Sequence, residues 1–127
     1  MQPDAEVRLP ADSAYVAVLR MSTAAIAARL DFTLDEIEDL RMAVGEASAM
    51  LLERARPGGR LIARFFLGGD RIEIQVSVDA VNPKPPDQAS FAWQVLTSTA
   101  SDVRAEAGED LLTISLAVTS ATSSPTA

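Results

Sequence analysis

The sequence contains no cysteine and no histidine. Without cysteine there is no disulfide, no thiolate nucleophile and no Cys-ligated zinc, and the redox compartment is left open. Without histidine there is no Ser-His-Asp triad, no His-ligated metal and no imidazole base near neutral pH. Any catalysis would rest on carboxylates, Lys or Arg, and backbone groups. Clusters of basic residues are missing too: 11 Lys and Arg against 18 Asp and Glu give a net charge of −7. That balance disfavours phosphate backbones and anionic membrane surfaces, so neither nucleic acid nor a membrane is expected as a partner. Arg20 and Arg29 interrupt the alanine-rich N-terminal segment, so no run reaches the roughly 18 apolar residues of a membrane span. The opening "MQPDAEVRLP" is acidic and polar where a secretory signal is basic and then apolar. The expected location is cytoplasmic.

What is present reads as one compact domain. With 48% hydrophobic and 23% charged residues in 127, the chain has an ordinary globular balance and can bury about two-thirds of the surface its unfolded form exposes. "AEVRLP" alternates, with Val7 and Leu9 on one side, and reads as a strand at a sheet edge stopped by Pro10. From Asp12 to Leu30, Tyr15, Leu19, Ile26 and Leu30 fall at helical spacing in an alanine-rich run. Thr33 and Glu36 form a T-x-x-E capping box, with Phe32 and Ile37 as a hydrophobic staple, so a second helix starts near Thr33. Asp35, Glu36, Glu38 and Asp39 crowd its first turns, where the helix dipole favours carboxylates.

Pro57 to Gly59 break the chain before two strand-like runs, "RLIARFFL" and "RIEIQVSVDA", joined as a hairpin through Gly68, Gly69 and Asp70. The proline-rich "VNPKPPDQA" is a loop. "SFAWQVLTSTAS" returns to helical spacing through Phe91, Val95 and Leu96, and a second hairpin turns at Gly108 to Asp110. The fold class expected is α+β: a two-layer α/β sandwich whose mostly antiparallel, mixed sheet is covered on one face by about three helices. Residues 1–118 form the domain and the polar residues 119–127 a flexible tail.

Within the second helix, Ile37, Leu40, Val44, Ala47 and Leu51 make one core-facing stripe. Glu46 lies well over 100° from the middle of that stripe, with Met50 beside it one turn on. On the residues alone, Glu46 reads as a surface glutamate, Asp79 as a turn residue before the proline-rich loop, and Trp93 as a core anchor.

The stretch "DEIEDLRMAVGEASAMLLERA" resembles the N-box helix of the Bergerat-fold, histidine-kinase-like ATPases, and is most similar to the bacterial anti-sigma factor serine-protein kinases. "FAWQVLTSTASDVRAEAGEDLLTISL" resembles their last helix and terminal hairpin, and the likeness runs from about residue 6 to residue 118. In that family a Glu on this helix helps activate the attacking hydroxyl, and an Asn four residues later holds the magnesium that bridges the nucleotide phosphates. Glu46 matches the first, while Met50 replaces the second with a soft, neutral thioether that is a poor magnesium ligand. The adenine-binding D-x-G-x-G motif is matched best by "DAVNP", with Asp79 kept but Val81 and Pro83 at the glycine positions. The phosphate-binding G-x-G-L turn appears as "SFAW", with Phe91 and Trp93 where bare backbone amides are needed. From Asn82 to Ser90 there is little room for an ATP lid.

Three functions follow as expectations. The first is an anti-sigma regulatory factor that sequesters a sigma factor and is released by an anti-anti-sigma antagonist protein, with a homodimer through residues 7–30 and nucleotide binding weak or lost. The second is an active protein serine kinase that uses ATP and magnesium to phosphorylate that antagonist, with Glu46 as base and Asp79 reading adenine. The third is a small α/β adaptor with no link to transcription.

Overall fold

The computed structural model describes residues 2–121. Strand β1 (Ala5–Pro10) leads through a 3-10 turn (Ser13–Tyr15) into helix α1 (Val16–Ala27), followed by α2 (Leu34–Leu52). A hairpin of β2 (Arg60–Gly68) and β3 (Arg71–Asp79), helix α3 (Phe91–Thr99), and a hairpin of β4 (Ser101–Ala107) and β5 (Leu111–Thr119) complete the order. The five strands lie in the order β1-β2-β3-β5-β4. Every pairing is antiparallel. The mixed sheet expected from the sequence is therefore corrected to a wholly antiparallel one.

Alternation along the strands decides which face the helices cover. Leu61, Ala63 and Phe65 of β2, Ile72, Ile74, Val76 and Val78 of β3, and Leu112, Ile114 and Leu116 of β5 share one face and are fully buried. They form a single cluster with Leu40, Val44, Ala47 and Leu51 of α2, all at zero exposure. Helix α2 is the central helix: it contacts α1, α3, β3 and β5. The opposite face of the sheet carries the buried Ile62, Ser77, Ser115 and Ala117 together with charged side chains, Glu6 accepting from Arg8 (2.6 Å) and Arg64 (2.8 Å), and Arg71 from β3 donating to Asp102 (2.7 Å).

The start of α2 is fixed by the capping box read in the sequence. Glu36 N–H donates to Thr33 Oγ1 at 3.1 Å and Thr33 N–H to Glu36 Oε1 at 2.7 Å. The other oxygen of Glu36 accepts from Ala121 N–H at 2.7 Å, while Ser120 Oγ donates to the Asp31 carbonyl at 2.6 Å. One carboxylate thus ties the helix start to the end of β5. These bonds, first that from Ala121 and then that from Thr33, hold the Glu36 carboxyl below its ordinary value. The tail expected from residue 119 is still fastened here: Thr119 lies in β5 and Ser120 is buried. Residues 122–127 lie outside the described residues.

Two apolar positions differ from their expected burial. Tyr15 is 39% exposed because it belongs to the 3-10 turn, which Asp12 caps through Ala14 N–H, and the helical phase begins only at Val16. The stripe of α1 that packs inward is Val16, Leu19, Thr23 and Ala27, with Ile26 and Leu30 partly buried. Phe91 is 81% exposed at the first turn of α3, and Trp93 and Leu96 carry that helix into the core.

Candidate functional site

Glu46 sits on the outer side of α2, half-buried, and makes no hydrogen bond or ion pair among the described residues. Met50, one turn on, is only 8% exposed and belongs to the core cluster. Its side chain lines a cleft of about 230 Å³ with Glu53 and Arg54 of the helix end, Pro86 and Asp87 of the proline-rich loop, and Ser90 and Ala92 at the start of α3. Met50, Ser90 and Ala92, from two of the stretches compared above with that family's nucleotide-binding motifs, meet here.

Three of the polar groups around that cleft, Ser90, Asp87 and Arg54, are engaged with the chain itself. Ser90 caps α3 by accepting from Trp93 N–H at 3.2 Å. Asp87 accepts from Ala89 N–H at 2.9 Å and so closes its own turn. Arg54 reaches over to the Lys84 carbonyl at 3.4 Å, which leans the loop toward the end of α2. Glu53 and Asp87 add negative charge to the rim, against the single guanidinium of Arg54. A magnesium–triphosphate pair needs hard oxygen donors for the metal and bare amides or cations for the phosphates. Met50 offers hydrocarbon and a thioether where the donor would stand, and two carboxylates flank it. The side chains present are a poor match to that group.

Asp79 is not brought to this cleft. Val76 and Val78 face the helices, so the next residue along β3 points to the other face of the sheet. There Asp79, 8% exposed, accepts from the Arg60 backbone N–H at 2.8 Å and from Arg60 Nε at 3.2 Å. The Arg60 side chain, then its backbone N–H, holds the Asp79 carboxyl below its ordinary value of 3.8. A Cβ at Gly59 would lie 2.9 Å from the Arg56 carbonyl and 3.0 Å from Asp79 Cβ, so only glycine fits beside this clamp. The helix-facing residue near the end of β3 is Val78, which is fully buried in the core.

A second feature, on the seam between α1 and α2, was not read from the sequence. Arg20 of α1 lies across Gly45 of α2, where an added Cβ would stand 2.7 Å from Arg20 Nε. Arg20 has no hydrogen-bond or ion-pair partner among the described residues. It borders two adjoining cavities, one of about 440 Å³ floored by Val16, Gly45, Ala49 and Leu52, the other of about 240 Å³ with Glu38, Arg41 and Met42. Arg41 donates to Glu38 at 2.7 Å through one terminal nitrogen, and its Nε is buried without a partner. The signal that points here is the glycine itself, since a glycine inside a helix costs about 1 kcal/mol and marks a close approach.

No family model matches the chain. The chain is 35% identical over 79 residues to the serine-protein kinase RsbW of Bacillus cereus (strain Q1), a match covering 61% of this chain and 49% of the relative. The serine-protein kinases RsbW of Bacillus thuringiensis subsp. konkukian (strain 97-27) and Bacillus mycoides (strain KBAB4) match over the same length at 35% and 34%. These similarities bear out the resemblance to the bacterial anti-sigma factor and serine-protein kinase family. The α+β sandwich of three helices on an antiparallel sheet is consistent with the histidine-kinase-like ATPase fold. The chain spans about half the length of the curated relatives it matches.

Proposed function

We propose that this chain is an anti-sigma regulator that sequesters a sigma factor by protein contact, is released when an antagonist protein competes, and does not depend on ATP. The observation that carries this reading is Met50, a buried thioether in the wall of the cleft where a metal-binding amide would stand. Asp79 then serves as a clamp between β2 and β3, not as an adenine contact. The partner surface is the α1–α2 seam: an unpaired guanidinium beside an apolar floor suits a partner segment that presents a carboxylate next to aliphatic side chains. Self-association involves residues 7–30, and the setting is cytoplasmic regulation of transcription.

The direct test is transcription in a purified system. The chain is expected to silence one sigma factor without added nucleotide, and stoichiometric antagonist to restore it. Silencing only in the presence of ATP would contradict the reading.

Gly45→Ala separates stability from this function. Alanine improves the helix by about 0.5–1 kcal/mol, and the far end of Arg20 can shift to make room. The expected outcome is an unchanged or higher urea midpoint with weaker sigma-factor binding, because the guanidinium is displaced from the seam. Unchanged binding by titration calorimetry would remove Arg20 from the partner surface.

A second reading, protein serine kinase, is favoured by one observation: Glu46, at the position compared with the family's base, is half-buried and has no partner among the described residues. It would require transfer of labelled phosphate from ATP to a serine of the antagonist.

A further inference from the structure

The seam between α1 and α2 widens into a groove with an apolar floor and one charged end. Its larger cavity, about 440 Å³, runs over Val16 of α1 and Gly45, Ala49 and Leu52 of α2, with Ser13 and Glu53 at the far rim. That volume is in the range of small-molecule sites, and so is a floor that is apolar with a few fixed polar groups around it. From Gly45 to Leu52 the helix runs about 10 Å, and Ala49 and Leu52 leave this track open to solvent.

Two guanidiniums stand at the charged end. Arg20 is exposed and lies across Gly45 with no hydrogen-bond or ion-pair partner among the described residues. Arg41 lines the adjoining cavity of about 240 Å³ with Arg20; it donates to Glu38 at 2.7 Å, and its Nε is buried without a partner. The groups present set the charge of a ligand. Arg20 and Arg41 against Glu38 leave one net positive charge, which matches a single carboxylate held in the two-pronged geometry of a guanidinium. A phosphate monoester carries nearly two charges at neutral pH, and its second charge would face Glu38 here and Glu53 at the far rim. A neutral or cationic ligand would leave Arg20 unpaired.

We propose that this groove binds a small amphipathic monocarboxylate, with its carboxylate on Arg20 and its hydrocarbon laid along Gly45, Ala49 and Leu52 against Val16. Gly45 makes the arrangement possible, because a Cβ there would stand 2.7 Å from Arg20 Nε and push the guanidinium off the track. The seam is also the surface read above as holding a sigma factor, so the ligand competes with that partner. The competition rests on that reading, whereas the binding site itself does not.

Octanoate, kept below the concentration at which it forms micelles, is the probe. Calorimetric titration of the full chain is expected to show one saturable site. Octanol, with the same tail and no charge, and octyl phosphate, with a second charge, should each bind about tenfold or more weaker. Arg20→Gln and Ala49→Asp should each weaken octanoate to a similar degree. Both residues are exposed, and unchanged circular dichroism spectra check that the variants fold. Equal binding by wild type and Arg20→Gln, or binding at many sites per chain, would overturn the proposal, since a fatty chain also adheres to unspecific apolar patches. Octyl phosphate bound as tightly as octanoate would overturn the choice of a singly charged ligand. With a purified sigma factor present, octanoate should lower the chain's apparent affinity for it. Sigma-factor binding that depends on Arg20, with no octanoate binding, would sink the proposal and leave the seam as the partner surface. Octanoate bound without any effect on the sigma factor would support the site and contradict that reading of the seam.

Discussion

Met50→Asn is expected to lower the unfolding free energy by about 2–4 kcal/mol and to bring no ATP binding with it. The loss has two sources: a buried methionine is shortened, which removes apolar contact and leaves a cavity, and a polar amide replaces an apolar side chain of the core cluster. Met50 is 8% exposed and packed within the cluster that joins α2, α3 and the sheet. Urea denaturation followed by circular dichroism measures the change. No nucleotide binding is expected because, beside Glu46, the new amide would be the only part of the compared motifs matched. Glu53 and Asp87 still rim the cleft, and Trp93 still occupies the first turn of α3. A variant that kept its stability and gained magnesium–ATP affinity would show that a single residue had silenced an otherwise intact site.

The other large effect belongs to Asp79. Asp79→Ala should cost about 1–3 kcal/mol, since it removes a charge-assisted acceptor and leaves the Arg60 backbone N–H beside a shortened side chain. The pH dependence gives the sign. The folded carboxyl titrates below its ordinary value of 3.8, so the native state favours the ionised form. Its contribution is complete above that ordinary value and is lost as pH falls through the lower, folded one. The wild-type advantage over Asp79→Ala should therefore be constant from neutral pH down to about 4 and shrink in stronger acid. An advantage that shrank near neutral pH would point to a different titrating group. Glu36, also held below its ordinary value, adds to the same acid limb without altering this difference.

Local chemistry made much of the fold legible. The capping box of Thr33 and Glu36, the glycine turns and the spacing of Leu40, Val44, Ala47 and Leu51 each depend on residues within a few positions of one another, and each appears as read. Tyr15 and Phe91 did not, because a 3-10 turn and a helix's first turn are out of phase with the layer they lead into. Asp79 shows a subtler limit. Residue type compared it with the adenine-binding aspartate, while the partners it has, the backbone N–H and Nε of Arg60, come from the neighbouring strand and leave no local signature. The second role of Glu36, holding Ala121, links residues 85 apart in sequence and has no local signature. Arg20 over Gly45 also joins distant residues, with the glycine inside the helix as its one local sign.

Trp93, the single tryptophan, is 6% exposed on α3 beside Ala92 of the cleft wall, which makes its fluorescence the most direct report on whether this cavity holds a nucleotide. Titration of the purified chain with ATP and magnesium is expected to give no saturable change up to millimolar concentrations. Saturation at micromolar ATP, abolished by chelating the magnesium, would contradict the account.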